Sequence, residues 1–229
     1  MSVFAMIELP PEFWQSLGLT LKLAFISTLM LLILGIPLAH WLNRSRWRGM
    51  IFIETLITMP IVLPPTVIGF YLLVIFAPQH PLGALWQNLT GHTLAFSFCG
   101  LVIGSILYSL PFAIQPFQAA LRAVPGEFAD AARVEGASAW QTLRHVSLPL
   151  AGRGIAVGVI LSFAHTMGEF GIVLMLGGSI PGQTKVASIA LYDEMQKLNY
   201  PLAHAYALAL LLISFALIFT ISFLQRRKS

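Results

Sequence analysis

The stretch FADAARVEGASAWQTLRHVSLPL, residues 128–150, is a polar, charged interruption in a strongly apolar chain. The chain is 57% hydrophobic and only 10% charged, with a mean hydropathy of +0.82. So few charged residues cannot cover a soluble surface. The composition therefore predicts an all-α integral membrane protein, in which the quoted stretch lies in a loop outside the bilayer.

Five windows are long enough to cross a membrane as helices. A hydrocarbon core of about 30 Å needs roughly 20 helical residues. Residues 55–121 contain no Asp, Glu, Lys or Arg, which leaves room for at least two crossings. The predicted spans are residues 19–41, 52–77, 94–116, 154–176 and 203–224, all within a single transmembrane domain of residues 1–229.

Basic residues cluster after the first span, between the third and fourth spans, and at the end of the chain. The clusters contain Arg44, Arg46, Arg48, Arg122, Arg133, Arg144, Arg153, Arg226, Arg227 and Lys228. Because cytoplasmic loops are enriched in Lys and Arg, they predict an N-terminus outside and a C-terminus in the cytoplasm. The net charge of +4 is then a topology signal, and it does not indicate binding to nucleic acid.

With this orientation, residues 121–150 form a cytoplasmic loop that carries signals for two short helices. Pro125 and Gly126 introduce the first helix, and Gly136 is expected to end it. The loop has more apolar side chains than a linker needs, which predicts that a partner docks on it.

The second loop helix begins with a capping-box pattern. Ser138 is the predicted N-cap, and Gln141 follows three residues later. Leu148 and Pro149 are expected to end this helix before the next span begins.

The loop also contains a spaced motif. It comprises Asp130, Ala131, Ala132, then Gly136 after three residues, and Val146-Ser147-Leu148-Pro149 after nine more. This motif resembles the EAA loop of permease subunits of binding-protein-dependent ABC importers, with Asp for Glu and Val for Ile as departures. The resemblance implies coupling helices that sit in a cleft of the ATP-hydrolysing subunit. The coupling residues it implies are Asp130, Ala131, Ala132, Gly136, Leu148 and Pro149.

Two further segments, MPIVLPPTVIGFYLL (59–73) and GEFGIVLMLGGSIPGQT (168–184), resemble molybdate permeases. Sulfate and tungstate permeases share parts of both. The resemblance implies a permease that imports an oxyanion by alternating access, with molybdate first and sulfate or tungstate as alternatives. The partners it implies are two ATPase subunits and a periplasmic or surface-anchored binding protein at a bacterial inner membrane. A subunit of five spans is too small to enclose a gated route alone, so a second copy of the chain is also expected.

Three prolines interrupt the second predicted span. Pro60, Pro64 and Pro65 each remove a backbone donor, at a cost of roughly 3 kcal/mol in a helix interior. The span should be kinked or broken there. Broken backbone at membrane depth must face protein or a wet cavity, so Pro64, Pro65 and Thr66 either line the pathway or form a packing kink.

His165 and Glu169 lie one helical turn apart in the fourth predicted span. Intramembrane ionisable residues suggest function, but an ionised carboxylate would repel a dianion. We therefore expect the pair to be structural or part of a gate. Neutral donors, Thr66, Ser162 and Thr166, are better candidates for weak contact with an oxyanion.

Other patterns are expected to carry no chemistry. Residues 177–184 have the outline of a phosphate-binding loop but lack its lysine, and they are predicted to be an external turn before a short helix over 186–195. His80 and His92 make a poor metal site, so neither a metal nor a cofactor is expected. Cys99 is expected to be a buried structural thiol.

Two other classes of membrane protein fit the sequence less well. A secondary transporter would be expected to show inverted repeats, and five spans cannot be divided into two equal halves. An intramembrane enzyme would need a catalytic motif such as H-E-x-x-H, which the chain lacks.

The first prediction concerns the assignment of ATP hydrolysis to a separate subunit. The purified chain should hydrolyse no ATP in detergent, because it has no complete nucleotide-binding loop, and activity should appear only with a co-expressed ATPase partner. A phosphate-release assay checks this, and hydrolysis by the isolated chain would contradict it.

Overall fold

The computed structural model describes residues 9–45 and 47–226, and these residues form helices joined by turns, without a strand among them. The prediction of an all-helical protein is therefore confirmed. The helices are α1 Pro11–Arg44, α2 Met50–Thr58, α3 Pro65–Phe76, α4 Pro81–Thr90, α5 Phe98–Arg122, α6 Gly126–Val134, α7 Ala139–Thr142, α8 Leu148–Met167, α9 Gly171–Gly177, α10 Ala187–Gln196 and α11 Tyr200–Arg226. Arg46, Arg227 and Lys228 of the basic clusters lie outside the described residues.

Three of the five predicted spans correspond to single long helices: α1, α5 and α11. The first helix begins at Pro11, eight residues before its predicted window. Proline suits the first turn of a helix because the N–H it lacks has no partner there, and Glu12 suits the same turn because of the helix dipole. The third window is shifted, since α5 begins at Phe98 and continues to Arg122.

The second predicted span is broken where the prolines predicted a break. Helix α2 ends at Thr58, a 3-10 turn covers Met59–Ile61, and α3 starts at Pro65. The two halves are bent by 111°. Among the described residues, four helices are long and apolar enough to cross a membrane, or five if this bent pair counts as one crossing.

The fourth predicted span is wrong as a single helix. Helix α8 ends at Met167, and the Gly168 N–H closes its last turn on the carbonyls of Ala164 and His165. Phe170 then leaves helical geometry (φ −125°, ψ −60°) before α9 begins. Hydropathy could not reveal this break, because the residues on both sides of it are apolar.

The core of the bundle lies between α1, α5 and α8. Its buried side chains form one cluster of Leu31, Ala39, Ala113, Phe117, Ala151 and Ile155. Glycines allow close helix contact there: an added Cβ at Gly35 would lie 3.1 Å from a ring carbon of Phe117. A second cluster, which includes Phe76, Leu101, Ile172 and Leu176, joins α3 and α9 to α5.

The expectation for Cys99 is wrong. Its side chain is exposed, whereas the next residue, Gly100, is buried. Cys99 lies near the start of α5, on the helix face turned away from the core. A membrane-spanning helix exposes apolar side chains to lipid, so an apolar context did not imply burial.

The close approach of α5 and α8 leads to the second prediction. A Cβ at Gly154 would lie 2.5 Å from the Ala120 Cβ, whereas nothing lies within 4 Å of a Cβ at Gly152. Gly154→Ala should therefore destabilise the bundle by about 1–3 kcal/mol through overpacking. Gly152→Ala, on the same helix, should be neutral or slightly stabilising because alanine favours helix. Thermal unfolding in detergent measures both, and equal unfolding temperatures would contradict the packing.

Candidate functional site

The first loop helix ends as the sequence predicts. Gly136 has a φ of +89°, and its N–H donates to the carbonyl of Arg133. The N–H of Ala137 donates to the carbonyl of Ala132 at 3.0 Å. These two bonds form a Schellman motif, which requires a left-handed residue at Gly136. The turn between α6 and α7 therefore depends on this glycine.

The capping box of the second loop helix is also confirmed. Ser138 Oγ accepts from the Gln141 N–H at 3.3 Å, and Gln141 Oε1 accepts from the Ser138 N–H at 2.7 Å. The expected end of this helix is wrong, because a π-helical turn, Leu143–Ser147, carries it directly into α8. The Leu148 N–H donates to the carbonyl of Leu143, so helical hydrogen bonding continues up to Pro149. Pro149 itself has no N–H that would need an acceptor.

The loop helices leave a set of apolar side chains uncovered. Phe128, Val134 and Trp140 are 52%, 88% and 57% exposed. Leu143 belongs instead to the protein's own interior, at 2% exposed. Of the residues implied for coupling, Asp130, Ala131, Gly136 and Pro149 are exposed, and Ala132 and Leu148 are partly buried. Exposed aromatic and aliphatic side chains on a short polar helix pair are typical of a protein contact.

The breaks in the second and fourth spans lie together. A Cβ added at Gly171 would lie 3.0 Å from Pro65 Cγ and 3.3 Å from Thr66 Cγ2, and one at Gly69 would lie 2.8 Å from Met175 Cβ. Helices α3 and α9 thus approach closely at these glycines, each of which lies against side chains of the other helix, starting at the first residue of each helix. The structure therefore brings the proline segment next to the segment that contains Glu169, which the sequence could not show.

Glu169 is the centre of a buried polar cluster. The side chain accepts hydrogen bonds from Ser105 Oγ at 2.6 Å and Ser109 Oγ at 2.8 Å. Ser109 Oγ also lies 2.8 Å from both His165 Nδ1 and Thr166 Oγ1. The residue is only 4% exposed, so these partners replace its hydration. The predicted pair of His165 and Glu169 exists, with 3.6 Å between Nδ1 and Oε1, and Ser109 links the two side chains.

Ser109 is the shared hydrogen-bond partner of the cluster. Its hydroxyl has one proton, so it donates to one neighbour at a time, while its oxygen can accept from the others. The imidazole of His165 is stacked on the Phe112 ring, with 3.8 Å between centroids and 23° between planes. The spacing in the sequence placed Glu169 and His165 on one helix face. The tertiary structure shows in addition that Ser109 contacts both side chains.

The predicted neutral donors have different surroundings. Ser162 is fully buried and donates to the Gly158 carbonyl at 2.8 Å, and Thr166 is 2% exposed within the Glu169 cluster. Thr66 and Pro64 are exposed, beside exposed Val62. Of the three hydroxyls, only that of Thr66 belongs to an exposed residue.

The sequence reasoning missed three polar residues. Ser105 and Ser109 lie four residues apart on α5, a spacing that could have marked them as one helix face. Glu54 on α2 accepts from Gln118 Nε2 at 3.3 Å and lies 3.9 Å from an Arg122 nitrogen. The sequence could have identified Glu54, because it is a carboxylate within the second predicted span, residues 52–77.

The segment after α9 forms the predicted turn and short helix, the latter as α10. Asp193 on α10 lies 2.7 Å from Lys185 Nζ and accepts from Ser179 Oγ at 2.7 Å. Burial alone would raise the pKa of Asp193, but the bonds from Lys185 and Ser179 outweigh it, so this pKa lies below its ordinary value. The ion pair between Lys185 and Asp193 therefore persists at neutral pH and weakens when acidification protonates Asp193.

Comparison with known proteins identifies related chains. The family model described as the inner membrane component of binding-protein-dependent transport systems matches residues 31–229. The molybdenum transport system permease protein ModB of Azotobacter vinelandii is 43% identical over 93% of this chain and 95% of its own. ModB of Escherichia coli K12 is 35% identical over 93% and 91%, and the sulfate transport system permease protein CysT of that strain is 30% identical over 95% and 78%.

Solved structures share the fold. A bacterial alginate ABC transporter in complex with a periplasmic protein bound to an alginate pentasaccharide matches with a TM-score of 0.77 at 18% identity, over 99% of this chain and 83% of that chain. The MetNI methionine ABC transporter matches with a TM-score of 0.71 at 16% identity, over the full length of both chains. At these identities the likeness concerns the fold alone.

The buried cluster leads to the third prediction. Ser105→Ala removes the donor to Glu169 Oε2 and should destabilise the protein by about 1–3 kcal/mol, because a buried acceptor loses its partner. Thr55→Ala is the control, since that exposed hydroxyl bonds only the Ile51 carbonyl. Thermal unfolding in lipid nanodiscs measures both, and an unchanged unfolding temperature for Ser105→Ala would contradict the cluster.

Proposed function

The chain belongs to the family of inner membrane components of binding-protein-dependent transport systems, and on that premise we propose that it forms the membrane pathway for molybdate entry into the cytoplasm. It is a transport subunit and not an enzyme. The observation that carries the proposal is the α6–α7 helix pair, which has the family's motif spacing, a glycine-dependent turn and an uncovered apolar surface.

The proposed role of the helix pair is to couple transport to ATP hydrolysis on a separate subunit. Exposed Phe128, Val134 and Trp140 supply the apolar contacts for a cleft on that ATPase. Two ATPases that approach each other on binding ATP would carry the helix pairs with them. Because α7 is continuous with α8, this displacement passes directly into a membrane-spanning helix.

The proposed pathway runs along the broken second span. Met59, Val62 and Thr66 are exposed there although they lie at the middle of an apolar segment, which suits a surface facing a pathway or a second copy. Two copies of the chain would place these segments on either side of a two-fold axis. Alternating access then consists of a change in the angle between the two copies, driven from the cytoplasmic side.

The proposed role of the Glu169 cluster is structural. A carboxylate accepts hydrogen bonds, as an oxyanion does, so the buried Glu169 offers no donor to the substrate, and an ionised carboxylate would repel a dianion. The cluster instead fixes the break between α8 and α9, which in turn holds Pro65 and Thr66 through Gly171. A rigid break of this kind can act as the fixed part of a gate.

Molybdate is favoured over sulfate by the comparison within one organism. The molybdenum permease of E. coli K12 is more similar to this chain than its sulfate permease, and the latter is also the longer protein, with 78% of its length covered. Sulfate is the second candidate substrate, since both are tetrahedral oxyanion dianions. Uptake of labelled molybdate in competition with sulfate and tungstate, with the cognate binding protein present, tests the assignment, and stronger competition by sulfate than by unlabelled molybdate would overturn it.

The glycine-dependent turn leads to the fourth prediction. Gly136→Leu should leave membrane insertion intact and reduce uptake by about an order of magnitude, because a left-handed conformation costs a non-glycine residue roughly 1–2 kcal/mol. ATP hydrolysis by the partner should persist, which would show uncoupling. Uptake into proteoliposomes and phosphate release are measured in parallel.

Gly126→Leu is the matched control for this variant. Neither glycine has an atom within 4 Å of an added Cβ, but only Gly136 has a positive φ. Gly126→Leu should therefore retain uptake, and Gly136→Asn should retain more than Gly136→Leu because asparagine tolerates the left-handed region. Normal uptake by Gly136→Leu would count against the coupling role.

A further inference from the structure

A basic cavity lies between the helix pair α6–α7 and the bundle. Its volume is about 230 Å³. It is lined by polar side chains from the ends of α1 and α5, from α6 and from the stretch that leads into α8: His40, Asn43, Arg44, Arg122, Arg133, Thr142 and Ser147. Three of these are arginines, and no acidic side chain is among the described lining residues. The cavity therefore favours an anion.

The arginines of the cavity are held in different ways. Arg122 Nε donates to Asn43 Oδ1 at 2.7 Å, and Asn43 Nδ2 in turn donates to the Gln118 carbonyl, so this guanidinium is fixed. Arg133 donates to Asp130 at 2.8 Å. Within the described part of the chain, the Arg44 guanidinium has no hydrogen bond or ion pair. The cavity thus combines one preorganised guanidinium, one partly engaged guanidinium and one without an internal partner.

The position of the cavity indicates where its anion comes from. Arg44 and Arg122 are the last residues of α1 and α5, two helices that the structure identifies as long and apolar enough to span a membrane. Side chains at the ends of such helices reach the level of lipid headgroups. With the proposed orientation this is the cytoplasmic leaflet, in which anionic phospholipids attract basic pockets between helices.

We propose that this cavity binds the phosphate group of an anionic phospholipid. The planar guanidinium of arginine matches phosphate oxygens in bidentate geometry, and Thr142 and Ser147 add hydroxyls. The cavity is smaller than the roughly 300–1,000 Å³ of pockets that enclose drug-sized molecules, so it accommodates a headgroup rather than a whole ligand. The site goes beyond the proposed transport function and relies on it only for the orientation of the chain.

A phosphate in this cavity would connect the bundle to the coupling helices. Arg133 belongs to α6, whereas Arg44 and Arg122 belong to membrane-spanning helices. One anion in contact with all three would hold α6 against the bundle and screen the repulsion between the guanidinium groups. The lipid therefore acts as a clamp at the joint between the coupling helices and the membrane domain.

The test measures binding of phosphatidylglycerol to the full chain by native mass spectrometry, with phosphatidylcholine as the neutral reference lipid. Arg44→Gln and the double variant Arg44→Gln/Arg133→Gln should lose affinity for phosphatidylglycerol by about fivefold for each arginine removed. Because the Arg44 guanidinium has no hydrogen-bond or ion-pair partner among the described residues, its replacement removes no native interaction of either kind. Unchanged affinity in the double variant would overturn the site.

Arg153→Gln is the matched control, with the same change of charge on an exposed arginine near the start of α8, outside the cavity. It should keep the wild-type affinity. An equal loss of affinity would show that the effect comes from general surface charge, and this would overturn the site.

Inorganic phosphate and molybdate are then added as competitors at millimolar concentration. Neither should displace phosphatidylglycerol; displacement that depends on Arg44 would assign the cavity to a soluble oxyanion and overturn the lipid. Since the readout is binding, its failure is distinct from a failure to transport molybdate.

Discussion

The buried carboxylate of Glu169 is the interaction on which the arrangement of the interrupted helices depends. Ser105 and Ser109 of α5 donate to it, and Ser188 of α10 donates to the Glu169 carbonyl at 2.6 Å. Helices α5, α8, α9 and α10 therefore meet at one residue. A polar group buried at this depth is costly unless it is fully bonded, so the four elements are held in one geometry. The contact between Gly171 and Pro65 extends that geometry to the broken second span.

The helix that is continuous from Ala139 to Met167 connects the Glu169 cluster with the loop helices. Its 29 residues correspond to about 40 Å at about 1.5 Å per residue. Helix α7 lies at one end and the Glu169 cluster at the other. A helix of this kind transmits a displacement without an intervening flexible loop, and the π-helical turn at Leu143–Ser147 allows it to continue past Pro149. The proposed coupling and gating roles thus belong to one rigid element.

The predictions that succeeded rest on local rules. The turn at Gly136, the capping box at Ser138 and the break at Pro64 and Pro65 each depend on residues within one or two turns of each other, so the sequence contains all the partners. The predictions that failed concern long helices. An apolar window marks a segment as compatible with lipid, but it does not show that Gly168 to Phe170 interrupts the helix, that Cys99 faces outward, or that the helix continues through Leu148.

Composition and hydropathy were sufficient to identify the membrane class and the helical content. The loop motif and the relationship to oxyanion permeases came from resemblance to known permease sequences, which is also readable from residues close together in the chain. Three features could be seen only in the folded chain: the two interrupted spans meet, Ser105 and Ser109 bind Glu169 across some 60 positions, and Arg44, Arg122 and Arg133 line one cavity. The physical reason is that helix packing between apolar segments is set by side-chain shape and by a few buried polar bonds, neither of which leaves a periodic signal in the chain.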